Sequence, residues 1–292
     1  MWFYLALSAA LASGISTVLS KKALRDVRPA LLYWATVVIS TPLIAFFAFK
    51  DGIPSLGIYF WIGIAGSVIL YTVSRILHLR VIRDAQLSHV YPLIALTPIF
   101  TLIIASFPPL SERPSSFVIL GAIVSLVGCY VLNINSLKEG LLEPFKILFK
   151  NKHAFLMLIA VALLGFVTVF DKIAITGTSP QNSIFALFAE NIIITVVMAP
   201  YLFSGSRKIG IVSEIWNNKT ALVVLGLLAT ISNALGFIAF SGASVGIVSA
   251  IFRSQILFAL LFGFILFKDK PRPETILGTI IMIAGLVIIK MG

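Results

Sequence analysis

Apolar stretches that are almost free of charge recur ten times along this chain of 292 residues, and they limit what it can fold into. Residues 86–107 and 220–240, for example, contain no Asp, Glu, Lys or Arg. A helix of about 20 apolar residues crosses the roughly 30 Å hydrocarbon core of a bilayer, where only helices and closed barrels satisfy every backbone polar group. Because the stretches are too long for barrel strands, the sequence predicts an all-α integral membrane protein.

We number the predicted transmembrane helices as spans 1 to 10 in chain order. They cover residues 2–20, 30–49, 57–79, 86–107, 116–134, 154–170, 182–203, 220–240, 245–267 and 275–289. Residues typical of turns separate them, such as Pro29, Gly52 and Pro108-Pro109. No basic residue precedes span 1, which favours a retained helix over a cleaved signal sequence.

The formal net charge of +11 invites a nucleic-acid interpretation, but the positions of the charges argue against it. The connections that follow odd-numbered spans hold 16 of the 22 Lys and Arg residues, and the opposite side holds 4. Basic connections stay in the cytoplasm. We therefore expect a multi-pass cell-membrane protein with both termini outside, in contact with membrane lipid and without a nucleic-acid partner.

The two halves of the chain resemble each other. Residues 14–23 and 165–174 share five amino acids at an offset of 151. An offset of 157 relates Glu112-Arg113-Pro114 to Asp269-Lys270-Pro271, Gly121 to Gly278, and Gly128 to Gly285. Because each copy holds five spans, an odd number, the second copy enters the membrane from the other side. The sequence thus predicts ten transmembrane helices as two inverted five-helix repeats, 1–134 and 154–292, an arrangement used for alternating access.

The linker 135–153 joins the predicted repeats. Ser136 and Glu139 have the spacing of a capping box, and apolar residues recur with helical spacing between Leu141 and Phe149, flanked by lysines. A short amphipathic helix on the cytoplasmic surface of the membrane and a solvated basic linker both fit this pattern.

Four segments resemble the EamA-type branch of the drug/metabolite transporter superfamily. They are Thr17-x-x-x-Lys21 with its echo Thr168-x-x-Asp171-Lys172, the stretch from Tyr91-Pro92 to Ser111-Glu112-Arg113-Pro114, the stretch from Phe252-Arg253 to Lys270-Pro271, and the Gly-x₆-Gly spacing of spans 5 and 10. The resemblance covers essentially the whole chain. It implies a transporter with ten helices in two inverted repeats and cytoplasmic termini, the last of which disagrees with the charge pattern.

Three charged side chains lie inside the predicted spans, namely Arg75, Glu190 and Arg253. Ionisable groups at bilayer depth usually face a cavity or a partner. Glu190 and Arg253 each lie eight residues into their spans, so at about 1.5 Å per residue both lie roughly 12 Å below the same face. They can form a structural ion pair. Alternatively, Glu190 alternates between a proton and Arg253, or Arg253 binds a substrate carboxylate or phosphate.

Other polar residues complete the candidate site. Arg75 shares a helix face with His78, and an Arg75 that reaches out to the cytoplasmic interface is the favoured alternative to a cavity role. The resemblance adds Lys21, which is otherwise an interfacial anchor. The candidate substrate-binding or coupling residues are Glu190, Arg253, Asn191, Gln255, Asn233, Arg75, His78, Lys21 and Tyr91. The neutral members are equally typical of interhelical packing contacts.

Enzyme signatures such as HExxH, a Walker loop or G-x-S-x-G do not occur in the sequence. We therefore expect no catalytic residues, no metal and no cofactor. Without an ATP site, the sequence predicts a secondary transporter for a small metabolite, anionic ones included, that is facilitative or ion-coupled and acts as a monomer or homodimer. The alternatives are a lipid or lipid-phosphate flippase of the same fold, and a membrane-embedded enzyme, which needs several reactive groups at one depth where only one carboxylate is predicted.

Overall fold

The structure, a computed structural model, describes residues 1–50, 52–85, 91–131, 151–204, 209–267 and 273–291. The helices are α1 (Trp2–Ala23), α2 (Pro29–Ala48), α3 (Ile58–Asp84), α4 (Thr97–Ala105), α5 (Ser116–Val131), α6 (Lys152–Thr176), α7 (Ser183–Phe203), α8 (Ile211–Asn217), α9 (Lys219–Gly242), α10 (Val245–Phe252), α11 (Gln255–Phe267) and α12 (Pro273–Met291). Two short strands, β1 (Ser55–Leu56) and β2 (Thr178–Ser179), pair antiparallel. Most of the predicted linker 135–153 lies outside the described residues.

Seven helices in the described part of the chain are long and apolar enough to cross a membrane. Six of them are α1, α2, α3, α6, α7 and α9, and the seventh crosses from α10 into α11. Shorter apolar helices occupy Leu93–Ala105, Ser116–Gly128 and Ile280–Ile289, where spans 4, 5 and 10 are predicted.

Capping residues determine where several helices begin. Pro29 is in the first turn of α2, where its missing N–H costs nothing. The Asn151 side chain accepts hydrogen bonds from His153 N and Ala154 N at the start of α6. Asn182 does the same for Phe185 N at the start of α7. These polar residues therefore fix the ends of spans that the apolar pattern alone leaves blurred.

Two of the predicted spans are interrupted. In the described part of span 4, a 3₁₀ helix, Tyr91–Leu96, becomes α-helical at Thr97. Pro92 and Pro98 are consistent with this change, because proline removes a backbone donor and bends a helix. Span 9, predicted as one helix over 245–267, breaks at Arg253-Ser254 between α10 and α11. The break was not predicted, because no Gly or Pro lies at Arg253-Ser254.

The most extensive helix pairings join the first half of the chain to the second. They are α3 with α6, α5 with α12, α1 with α9, and α2 with α7. Contacts at both ends of the last pair give its direction, since Trp34 Nε1 donates to Thr195 O at 3.1 Å and Asn182 Nδ2 donates to Ala48 O at 3.3 Å. The helices α2 and α7 are therefore antiparallel.

A glycine allows α3 and α6 to approach closely. A Cβ atom on Gly63 would lie 2.7 Å from both Ala174 Cα and Phe170 O. Both atoms belong to the α6 backbone, which cannot move aside as a side chain can. The close seam brings Ser67, one turn further along α3, against α6.

Candidate functional site

A polar cavity lies between the two halves of the chain. Its walls come from α1, α2, α3, α6, α7 and α9 and from the break between α10 and α11. The space that water-sized molecules can enter measures about 130 Å³. Hydroxyl, amide, carboxyl and guanidinium groups all face this cavity.

Seven of the nine candidate residues from the sequence line this cavity. They are Glu190, Arg253, Asn191, Gln255, Asn233, Arg75 and His78. Lys21 lies elsewhere, and the side chain of Tyr91 lies outside the described part of the structure. Residues from both halves, far apart in sequence, thus meet at one place.

Arg75 lines the cavity together with His78. Arg75 therefore contributes to the cavity wall, and its reach to the cytoplasmic interface stays a prediction. Both residues belong to α3, whose opposite face carries exposed apolar side chains such as Ile69 and Val73. That apolar face can meet lipid, so the polar face turns inward.

Arg253 occupies the break between α10 and α11 and is 5% exposed. Its Nε donates to Ser249 O at 3.3 Å and its Nη1 donates to Thr97 Oγ1 at 3.4 Å. Its guanidinium carbon also lies 5.5 Å from the centre of the Phe252 ring. These contacts hold the guanidinium beside the interrupted start of α4, where it also lines the cavity.

Glu190 is bound to a serine rather than to Arg253. Ser67 Oγ lies 3.0 Å from Glu190 Oε1. Within the described residues, no ion pair joins Glu190 to Arg253, although both line the cavity. The two side chains thus face one space without the direct pairing that their equal depth suggested.

Asp171 is a second buried carboxyl group in this site. Ser67 Oγ lies 2.5 Å from Asp171 Oδ1, and Asp171 is 6% exposed against 3% for Glu190. Span 6 was predicted to end at residue 170, but α6 continues to Thr176. The expectation of one carboxylate at depth was therefore wrong. The repeated Thr-x-x-x-Lys motif could have indicated this second carboxyl group. The motif includes Asp171 and extends past residue 170, so it implies a longer α6.

Neutral side chains link the cavity walls. Ser13 Oγ donates to Gln255 Oε1 at 2.5 Å, which ties α1 to α11. Asn191 Nδ2 donates to Ser40 Oγ at 3.3 Å, which ties α7 to α2. These contacts cross between the halves, so the neutral groups act as interhelical links while they also line the cavity.

Two tyrosines form an aromatic edge of the cavity. The rings of Tyr33 and Tyr71 meet edge to face with centroids 5.7 Å apart, and both line the cavity. Trp34, which follows Tyr33 on α2, instead packs its ring against Phe203 on α7.

Lys21 binds the end of a neighbouring helix. Its Nζ donates to Ile82 O at 3.1 Å and to Ala85 O at 2.8 Å, so it satisfies carbonyl groups at the end of α3. Lys172 does the same at the end of α9, where its Nζ donates to Phe240 O and, at 3.0 Å, to Ala243 O. Both lysines therefore have a structural partner outside the cavity.

Membrane-crossing helices around a charged central cavity are typical of membrane transport proteins. The model of the EamA-like transporter family matches residues 1–134 and 151–291, and the chain belongs to this family. The resemblance found in the sequence is thus confirmed, and the chain is a multi-pass membrane protein of a transporter family. No curated protein matches the chain. A crystal structure of another protein is similar with a TM-score of 0.64 over 97% of this chain and 97% of that one, at 16% identity, and supports the fold alone.

Proposed function

We propose that the protein is a secondary transporter that carries a small metabolite across the cell membrane by alternating access between two inverted five-helix repeats. The repeats are residues 1–134 and 154–292, and the three shorter apolar helices complete ten crossings. The observation that carries the proposal is the polar cavity between the halves, whose walls include an interrupted helix from each half.

The two helix interruptions fall at equivalent positions. Thr97, where the 3₁₀ helix gives way to α4, and Ser254, between α10 and α11, are separated by 157 residues. This is the offset that relates Gly121 to Gly278 and Gly128 to Gly285. Irregular helices at corresponding places in two halves are a common mark of substrate sites in transporters. At the break in span 9 the backbone switches to hydrogen bonds three residues back, from Arg253 N to Ala250 O and from Ser254 N to Ile251 O.

The contacts of the two repeat-related lysines support the same symmetry. Lys21 binds Ile82 and Ala85, and Lys172 binds Phe240 and Ala243. Both pairs of acceptors are 158 residues apart in the sequence. A twofold rotation that superposes the two repeats would therefore also superpose the hydrogen bonds of Lys21 on those of Lys172.

The glycine seam between α5 and α12 is also consistent with an inverted repeat. A Cβ on Gly121 would lie 2.6 Å from Gly285 O, and one on Gly128 would lie 2.8 Å from Gly278 O. The earlier residue of one helix thus meets the later residue of the other, so the helices are antiparallel. Equivalent helices related by a twofold axis in the membrane plane must run in this way.

Contacts between connections support a chain that alternates sides. Arg28, after α1, forms an ion pair with Glu214 of α8, which belongs to the connection after α7. Glu112, in the connection after span 4, accepts a hydrogen bond from Val245 N, which follows span 8. The connections after the odd-numbered spans 1 and 7 therefore contact each other, and so do those after the even-numbered spans 4 and 8. These contacts support a chain that alternates sides, and the charge bias then favours termini outside the cell.

The cavity suits a solute with an anionic group. Arg75 and Arg253 both line it, and a guanidinium group binds carboxylate or phosphate through two parallel hydrogen bonds. The tyrosine pair offers an apolar surface for the rest of the molecule. Glu190 and Asp171 line the same cavity, so a solute that also carries a cationic group fits as well.

A thermal-shift screen of the purified protein against small metabolites and lipid phosphates tests the proposal. A ligand present at about 100 times its Kd stabilises the folded state by about 2.7 kcal/mol. We expect a small anionic metabolite to stabilise the wild type and an Arg28→Gln variant, whose substitution lies outside the cavity, but not an Arg253→Gln variant. The same metabolite should enter proteoliposomes that contain the wild type.

Two results would contradict the proposal. Stabilisation by lipid phosphates alone, with lipid movement between leaflets, would favour a flippase of the same fold. Conversion of a bound compound to a product without its transport would favour a membrane-embedded enzyme.

A further inference from the structure

We propose that Asp171, Ser67 and Glu190 form a binding site for one exchangeable proton, and that this proton is the ion coupled to transport. The inference rests on the transporter function proposed above. It assigns a coupling role to Asp171, and it replaces Arg253 with Ser67 as the partner of Glu190.

The number of hydrogen atoms at this site requires a bound proton. Ser67 Oγ lies 2.5 Å from Asp171 Oδ1 and 3.0 Å from Glu190 Oε1, which are both hydrogen-bond distances. A serine hydroxyl has one hydrogen, which makes one full-strength hydrogen bond, and an ionised carboxylate can only accept. The second hydrogen bond therefore needs a hydrogen on a carboxyl group. One of the two acids is neutral and donates to Ser67.

Burial favours the same protonation state. Two ionised carboxylates, both buried and held by one hydroxyl, would repel each other. Lys172 follows Asp171 in sequence, but its Nζ donates to Phe240 O and Ala243 O at the end of α9. Within the described residues, no ion pair reaches either carboxyl group. The positive charge that this geometry accommodates is therefore a proton, shared through the hydrogen bonds to Ser67.

Other titratable groups face the carboxyl pair from neighbouring helices. On α3 these are Tyr71 and Arg75, with His78 one turn beyond Arg75, and on α2 it is Tyr33. From the break after α10 comes Arg253, whose guanidinium is held by Ser249 and Thr97. The two arginines line the same cavity, and no ion pair joins either of them to Asp171 or Glu190 among the described residues. A solute anion can occupy the space that they face.

The site spans the boundary between the proposed repeats. Ser67 belongs to α3 in the first half, and Asp171 and Glu190 belong to α6 and α7 in the second. With the proton bound, both hydrogen bonds hold α3 against these helices. When the proton leaves, one bond is lost and the two carboxylates repel, so separation of the helices becomes favourable. Proton binding thus changes the relative stability of two arrangements of the halves, as coupling requires.

Infrared spectroscopy tests the bound proton without a substrate. We expect purified wild type to give the carbonyl-stretch band of a protonated carboxyl group at neutral pH, with a shift in heavy water and loss of the band at high pH. Asp171→Asn and Glu190→Gln should each remove the band. Glu214→Gln is the matched control, because Glu214 is ion-paired with Arg28 and should contribute nothing. A wild-type spectrum without this band would overturn the site even if the variants do not fold.

Transport tests the coupling. For an electroneutral exchange or symport of one proton per solute at zero membrane potential, a gradient of one pH unit drives about tenfold accumulation. We expect this for wild type and Glu214→Gln with the metabolite identified by the thermal-shift screen. Asp171→Asn and Glu190→Gln should exchange labelled metabolite but accumulate none. Ser67→Ala, which keeps both acids but removes their link, should weaken accumulation.

The outcomes separate the two proposals. A band that depends on both acids, together with uptake that ignores the pH gradient, would overturn the coupling role. Accumulation driven by a sodium gradient instead would do the same. The band without transport of any small solute would overturn the proposed function but not the proton site, and transport without the band would do the reverse.

Discussion

Replacement of Gly63 by alanine should destabilise the protein through the seam between α3 and α6. The added Cβ would lie 2.7 Å from two α6 backbone atoms, Ala174 Cα and Phe170 O. Carbon contacts are favourable from about 3.5 Å, so the helices must separate by roughly 1 Å. Overpacking of this kind typically costs about 1–3 kcal/mol. Alanine also favours the helix over glycine by up to about 1 kcal/mol, which offsets part of the cost.

Gly263→Ala is the matched control. Gly263 lies within α11, and an added Cβ there meets nothing within 4 Å. The same change in helix propensity therefore acts without the clash, and this variant should be as stable as the wild type or slightly more so. The difference between the two variants isolates the cost of the contact.

Reversible unfolding of the two variants in mixed micelles measures that difference. We expect Gly63→Ala to have the lower free energy of unfolding, by about 1–3 kcal/mol relative to Gly263→Ala. Because Ser67 lies one turn from Gly63, the wider seam should also lengthen the 2.5 Å contact to Asp171 and reduce proton-driven accumulation. Equal stabilities for the two variants would refute the close helix approach on which this reasoning depends.

Further predictions concern the lysines, the membrane orientation and a surface ion pair. Lys21→Met and Lys172→Met should each lower the free energy of unfolding by about 1–3 kcal/mol, and by similar amounts, because each removes charged hydrogen bonds to two carbonyl groups. A strong effect of only one would argue against their equivalence. A fluorescent reporter active only in the cytoplasm should stay dark when fused after Gly292, and a bright reporter would reverse the orientation. Arg28→Gln should cost less than about 1 kcal/mol in the same unfolding assay, since its ion pair with Glu214 is partly exposed.

The apolar pattern was sufficient to predict a helical membrane protein, because hydrocarbon leaves the backbone few alternatives. It also led to most cavity residues, since polar groups such as Asn233 and Gln255 are rare in such helices. At Arg75 the sequence left two alternatives open. Snorkelling and a cavity position are both compatible with an arginine near a helix end, and only the packing of α3 decides between them.

The sequence analysis missed the buried position of Asp171 and the break at Arg253, for different reasons. Asp171 follows the last apolar residue of its span, so hydropathy placed it at the membrane surface, whereas α6 extends past it. The break in span 9 depends on contacts from other helices, such as Thr97 to Arg253, and on no local breaker. Tertiary partners therefore determined what local composition left open.

The pairing of helices between halves has a consequence for biosynthesis. The first half of the chain leaves the ribosome before the partners of α1, α2, α3 and α5 have been made, since these helices pair chiefly with α9, α7, α6 and α12. Until then Ser67 and Arg75 face lipid or the insertion machinery rather than a cavity. Residues 1–134 expressed alone should accordingly be short-lived in the membrane, and co-expression with residues 151–292 should rescue them. Quality control during membrane insertion thus has to tolerate a half-synthesised protein whose polar helix faces are not yet covered by the second half.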